Sequence, residues 1–366
     1  MKSFNIGDLK IRVPIVQGGM GIGISLSGLA SAVSNMGGIG IISTVGVGLT
    51  SGNRNINYRL GNIEGVRNEI RKARALTGGI LGVNIMSVLT DFSDMVRTSI
   101  EEGIDIIFSG AGLPLDLPKY LNEGIKTKLV PIVSSARAAK IIWAKWSQNY
   151  NYIPDAFVVE GPEAGGHLGF KADELEDKNK SLPVLVREVR DIADEIYLAH
   201  RKRVPVIAAG GIYSGSDIYN IINQGAAAVQ MGTRFVATEE CDASPEFKDA
   251  FINASESDIE IIKSPVGLPG RAIHNNFLEE ASAGKRRPAG CSFNCIRSCN
   301  PKTTLYCIAN ALASAYNGNM GDGFVFTGIN AGRIKKITTV KEIFDELKKE
   351  FNKMARAAKE NINLIL

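Results

Sequence analysis

Aromatic residues are scarce in this 366-residue chain, at 7%, and histidine is scarcer still, with three. Few side chains can therefore titrate near neutral pH, so any proton chemistry there has a short list of candidates. An excess of either charge is also missing: 42 Lys and Arg stand against 38 Asp and Glu, a net +4 with the basic residues scattered. That balance excludes nucleic acid as an expected partner. The N-terminus has no basic start followed by an apolar run, so no secretion signal is expected. No charge falls between Arg12 and Arg54, a gap long enough for a membrane helix. Eleven glycines interrupt it, with Pro14, Gln17 and Asn35, so it reads as buried strand, turn and helix instead. Cysteines number five, an odd count that with no signal points to reduced thiols and a cytoplasmic protein. A GxGxxG turn after the first strand is lacking as well, and no acidic residue follows it before Glu64, which disfavours a doubly wound dinucleotide fold.

What the chain does have is repetition. Eight short apolar runs recur, at 13–20, 39–44, 80–86, 104–109, 129–134, 156–160, 204–209 and 227–231. Most are rich in Val and Ile without polar alternation, as parallel strands covered on both faces are. Helical patterns lie between them, at 26–35, 63–76, 93–102, 136–148, 184–200 and 216–224. This predicts an α/β chain folded as a (β/α)8 TIM barrel. Residues 1–238 and 334–366 would form the barrel, closed by an amphipathic helix over 338–359. Residues 239–333 would be a mostly helical insertion.

In such a barrel the site lies where the strands end. The loops after strands seven and eight carry Gly210 and Gly211, and Gln230, Met231, Gly232 and Thr233. Bare main chain there suits a phosphate, with Thr233 adding a hydroxyl. Ser214 or Ser216 would cap the next helix and aim its positive end at that anion. After strand six, Gly165 and Gly166 precede His167, which can reach the barrel mouth as a proton acceptor or donor. His200 reads as a solvated helix end and His274 as part of the insertion. Asn84, at the end of strand three, suits a planar heterocycle. Gln17, Gly18, Gly19 and Met20 offer a backbone wall for its ring, and Ser134 and Ser135 add hydroxyls. A barrel isomerase or aldolase is a weaker alternative, since no Schiff-base lysine stands at a strand end, and a flavin-storing or thiol-based redox sensor is a third.

The segments PIVQGGMG (14–21), GVNIM (82–86), EGPEAGGHLG (160–169), PVIAAGGI (205–212) and AVQMGTRF (228–235) together resemble the nitronate monooxygenase family, formerly 2-nitropropane dioxygenase. That family includes flavin-type enoyl-acyl-carrier-protein reductases. SPVGLPGRAI (264–273) resembles a stretch in part of it. The resemblance implies non-covalent FMN, with contacts at Gly18, Gly19, Met20, Asn84, position 160, Gly165, Gly211 and Gln230 through Thr233. It implies His167 as the catalytic residue. Many relatives carry glutamine where this chain has Glu160. Oxidation of alkyl nitronates to carbonyl compounds and nitrite is the preferred reading. NAD(P)H-dependent reduction of an enoyl thioester is the alternative, and Lys285-Arg286-Arg287 could then meet a phosphate. The substrate is a small molecule in either case, and the oligomeric state is left open, a homodimer included.

Cys291, Cys295, Cys299 and Cys307 crowd into seventeen residues. Four thiolates could hold zinc or an iron–sulfur cluster, and in a helix the first three would share one stripe. The competing reading is small buried hydrophobes.

Overall fold

Short runs of Val, Ile and Ala pair side by side when both faces are covered. The computed structural model, which describes residues 1–50 and 57–365, arranges eight of them as one parallel sheet. They are β1 Ile15–Gln17, β2 Gly40–Ser43, β3 Leu81–Met86, β4 Ile106–Gly110, β5 Lys128–Val133, β6 Phe157–Glu160, β7 Val206–Ala209 and β8 Ala228–Met231. Neighbours in the chain are neighbours in the sheet, β1 pairs with β8, and a parallel bridge between Val16 and Ile39 brings β1 against β2. The result is the (β/α)8 barrel. Alternate residues divide between two apolar layers, as the two-residue period of a strand requires. Val16, Ile41, Phe108, Val158 and Ile207 fill the interior. Ile15, Ile42, Ile107, Val159 and Ala208 pack outward against the helices.

An N-terminal hairpin, Phe4–Ile6 with Leu9–Ile11, places Ile6 and Ile11 in the interior cluster. Its three-residue strands are too short to show a period, so the sequence pattern did not announce it. Helix Val340–Ile365 buries Val340, Ile343, Phe344 and Leu347 and lies on helix Gly215–Asn223. It carries the apolar face expected of the closing helix.

The segment after β8 differs from its expectation. Three helices are present, Pro245–Asn253, Asn276–Ser282 and Ile308–Tyr316. Beside them stands an antiparallel sheet of Ile259–Lys263, Pro269–Ile273 and Val325–Phe326. Describing this segment as mostly helical therefore understates it. Ile259–Lys263 and Pro269–Ile273 form a hairpin whose second strand is largely buried, Val325–Phe326 joins from a remote part of the chain, and none alternates cleanly between apolar and polar residues. The barrel contributes a fourth member, the two-residue strand Gly166–His167, which pairs with Pro269–Ile273. Phe277, Tyr306 and Phe324 centre a second apolar cluster here, and Ile22 and Leu89 of the barrel join it.

Among the described residues no helix is long and apolar enough to cross a membrane.

Candidate active site

One cavity opens at the C-terminal ends of the strands, roofed by the segment after β8. Gly18, Gly19 and Met20 line it where β1 ends, and Asn84 where β3 ends. Gly19 has to be glycine: a Cβ there would stand 2.3 Å from the Cβ of Asn84. Gln17 does not line the cavity. It points into the barrel, where its Oε1 accepts from Ile41 N at 2.9 Å. At the far side Gly210, Gly211, Gln230, Met231, Gly232 and Thr233 line the wall. Gly210 and Gly211 have φ of +97° and +73°, and a Cβ on Gly211 would meet the Glu163 carboxylate at 2.0 Å. Their glycines thus let the loop after β6 approach the loop after β7. Thr233 Oγ1 accepts from Gly328 N at 2.9 Å, which leaves its own hydrogen to give.

The helix after β7 departs from expectation. Ser214 does cap it, accepting from Asp217 N, but Asp217 accepts in turn from Ser214 N and Tyr213 N. Glu350 accepts from Gly215 N at 2.6 Å. Two carboxylates already occupy that helix end, so it is not free to receive an anion. Ser134 is also displaced from its expected role. It is absent from the cavity wall and sits under Gly169, while Ser135 caps the next helix.

Glu160 ends β6 and faces the cavity with no protein hydrogen-bond partner among the described residues. Burial alone pushes its carboxyl up to about 7. Near neutral pH the acid and its anion are therefore both present. Gln230 Oε1 and Ser43 Oγ are buried on the same wall without partners. Unmatched buried polar atoms are uncommon in a finished fold and mark a place for a ligand's polar edge. Together with the bare main chain at 18–19, 210–211 and 232, they fit a planar heterocycle carrying a phosphate tail.

His167 stands opposite Gly270 in the sheet, and Leu168 N donates to Pro269 O at 2.8 Å. Its ring lies 4.9 Å from that of Phe326, and Nε2 is 2.6 Å from Ser264 Oγ. Burial pulls the imidazole down to about 4, so it is neutral near pH 7. Arg271, also buried, spends Nη1 on the carbonyls of Pro162 at 2.8 Å and Ala164 at 2.5 Å, holding the loop that carries His167. His200 and His274 lie elsewhere: His200 stacks on Trp143, and His274 meets Glu260 and Glu279. Arg286 is committed to Glu280 and Asp322, so that part of the basic loop is already paired.

The cysteines do not form the expected stripe, because residues 291–300 contain no helix. Cys291 is exposed, Cys295 buried against the cavity, and Cys299 and Cys307 half-buried, all with free thiols. Burial, then Cys307, Cys291 and Cys299 nearby, push the Cys295 thiol up to about 12. Among the described residues no group of three or more His, Cys, Asp or Glu side chains could hold a metal ion.

Ser264, Arg271, Phe326, Ser43 and the 327–330 loop were missed from sequence. Ser264 stood within SPVGLPGRAI, and a hydroxyl opening a Pro-containing turn was the available signal. The others reach the site only through long-range pairing.

The nitronate monooxygenase family model matches residues 2–350. A probable nitronate monooxygenase of Staphylococcus aureus is 29% identical over 311 residues, covering 75% of this chain and 79% of that protein. At 28% over 276 residues, covering 75% of this chain and 67% of the other, is the (3aS,4S,5R,7aS)-5-hydroxy-7a-methyl-1-oxo-octahydro-1H-indene-4-carboxyl-CoA dehydrogenase of Mycobacterium tuberculosis. Among solved structures, FabK from Thermotoga maritima superposes with a TM-score of 0.73 at 30% identity, covering 96% of each chain.

Proposed function

The chain belongs to the nitronate monooxygenase family of flavin-dependent oxidoreductases, and from that premise we propose that it uses FMN to reduce an enoyl thioester at the expense of reduced nicotinamide. The observation that carries this reading is the lining of the cavity. Neither lysine nor arginine lines it, and its outer half is walled by Tyr58, Leu89, Val266, Ile296, Ile308 and Leu312. A nitronate is an anion and would lose its hydration there without a cation to replace it, a cost of several kcal/mol on the order expected for unpaired buried charge. A neutral thioester with an apolar tail bears no such cost. The thioester in the name of the mycobacterial relative supports the same direction. Nitronate oxidation is the second reading, favoured by the name of the staphylococcal relatives.

Bound FMN would supply hydride transfer. Gly18, Gly19 and Met20 would back its ring, with Asn84 and Gln230 offering amides to its polar edge. Glu160, when protonated, would donate a hydrogen bond there and would not oppose charge on the ring. Gly210, Gly211, Gly232 and Thr233 would hold the phosphate through main chain and hydroxyl, and Gly165 and Gly166 let the catalytic loop close over it. Neutral His167 would face the reacting carbonyl, and the outer apolar wall would take the acyl chain and exclude water. The barrel of 1–238 and 334–366 would thus hold the cofactor, and 239–333 the substrate side.

The test is turnover by the purified protein without air on reduced nicotinamide and a crotonyl thioester, and under air on alkyl nitronates. Thioester-dependent oxidation of the nicotinamide supports the proposal. Nitrite release alone replaces it with the second reading, and a colourless protein that refuses FMN removes both.

A further inference from the structure

Ser264 is the one side chain hydrogen-bonded to the ring of His167. It opens the turn between the strands Ile259–Lys263 and Pro269–Ile273, where Gly267 N donates to Ser264 O at 3.0 Å. Val266 N donates to Ser264 Oγ at 3.3 Å. The Tyr306 phenol, on a residue only 2% exposed, is buried without a hydrogen-bond partner among the described residues. A serine oxygen that already accepts from Val266 N has its own hydrogen left to give, and the atom 2.6 Å away is His167 Nε2. Nε2 can accept that hydrogen only when it carries none itself.

We infer that Ser264 is a positioning residue that holds His167 as the neutral Nδ1–H tautomer, so that the ring offers substrate a hydrogen-bond donor instead of a base. Among the described residues no protein group engages Nδ1, which leaves it for the ligand. The catalytic consequence rests on the reaction proposed above: Nδ1–H would stabilise the negative charge that develops on the thioester oxygen as hydride arrives at the β-carbon. No proton moves in this role. The imidazole is kept uncharged by burial.

The three histidines make the test tractable by nitrogen-15 labelling of histidine and long-range correlation spectra of the flavin-loaded protein without substrate. His167 is expected to show a protonated Nδ1 and an unprotonated Nε2. Ser264→Ala should shift that signature toward Nε2–H and lower kcat about tenfold with little change in KM. Ser264→Thr, which keeps the hydroxyl, should restore both. If Ser264→Ala does not fold, Ser264→Cys, whose thiol is a far weaker donor, should shift the ring part of the way in the same direction. An Nε2–H signature in the unmodified protein, or a tautomer that none of these substitutions moves, overturns the inference. Failure to turn over thioesters would refute the reaction proposed above and leave the spectroscopic result standing.

Discussion

The barrel and the segment that follows it build one cavity from different materials. The barrel contributes main chain laid bare by glycine, plus amides and one acid whose polar atoms have no protein partner. The later segment contributes apolar side chains such as Val266, Ile308 and Leu312 to the wall, and groups that hold the His167 loop: Ser264 on its ring, Arg271 on two carbonyls before it, and Gly270 beside it in the sheet. Under the proposed function, holding the cofactor and aiming His167 are therefore separable. Barrel substitutions should change what the protein retains, and substitutions in the later segment should change what it does with it.

His167→Ala should have the largest effect on turnover. Removing a donor aimed at a developing oxyanion costs about 10²–10³-fold, and kcat should fall by that much while flavin absorbance is unchanged. Loss of flavin with it would break the division. Gly19→Ala comes next and acts from the opposite side. With 2.3 Å to the Asn84 Cβ, the protein should purify with little flavin, read as the ratio of flavin to protein absorbance. Arg271→Ala leaves the carbonyls of Pro162 and Ala164 unmatched in a buried place. That should cost on the order of 1–3 kcal/mol in thermal or denaturant unfolding, and lower kcat more than flavin content.

Glu160→Gln should have the smallest effect and sharpens the picture of the barrel wall. The folded protein holds the Glu160 proton more tightly than the unfolded chain, whose carboxyl keeps its ordinary value of 4.5. The stability that Glu160 contributes to flavin-free protein should then be full below about 4.5 and be lost as pH rises to about 7, where the folded group ionises. Glutamine, unable to ionise, should flatten that slope in unfolding measured across this window. An unchanged slope would show that another group carries it.

The eight strands were legible because each is a local run covered on both faces, and six intervening helices because their apolar stripes repeat every three to four residues. His167, Asn84 and the glycines at 18–19, 210–211 and 232 were legible because they sit where such runs stop. Ser134 misled because it, too, ends a run, yet the chain turns there and takes the hydroxyl off the cavity wall. The cysteine stripe misled because even spacing implies one face only in a helix, and 291–300 is irregular. Ser214 was read correctly as a cap, but the acids that occupy its helix come from Asp217 in the same turn and Glu350 in the last helix.

Local pattern by itself determined the barrel, and the ordered motifs carried the family resemblance, because strand periodicity and glycine turns are properties of neighbours in the chain. Only the tertiary structure decided the burial that shifts Glu160 and His167, the partner of the His167 ring, and which side chains line the cavity. Those depend on which groups are removed from water together, and here they come from segments about a hundred residues apart, such as His167 and Ser264.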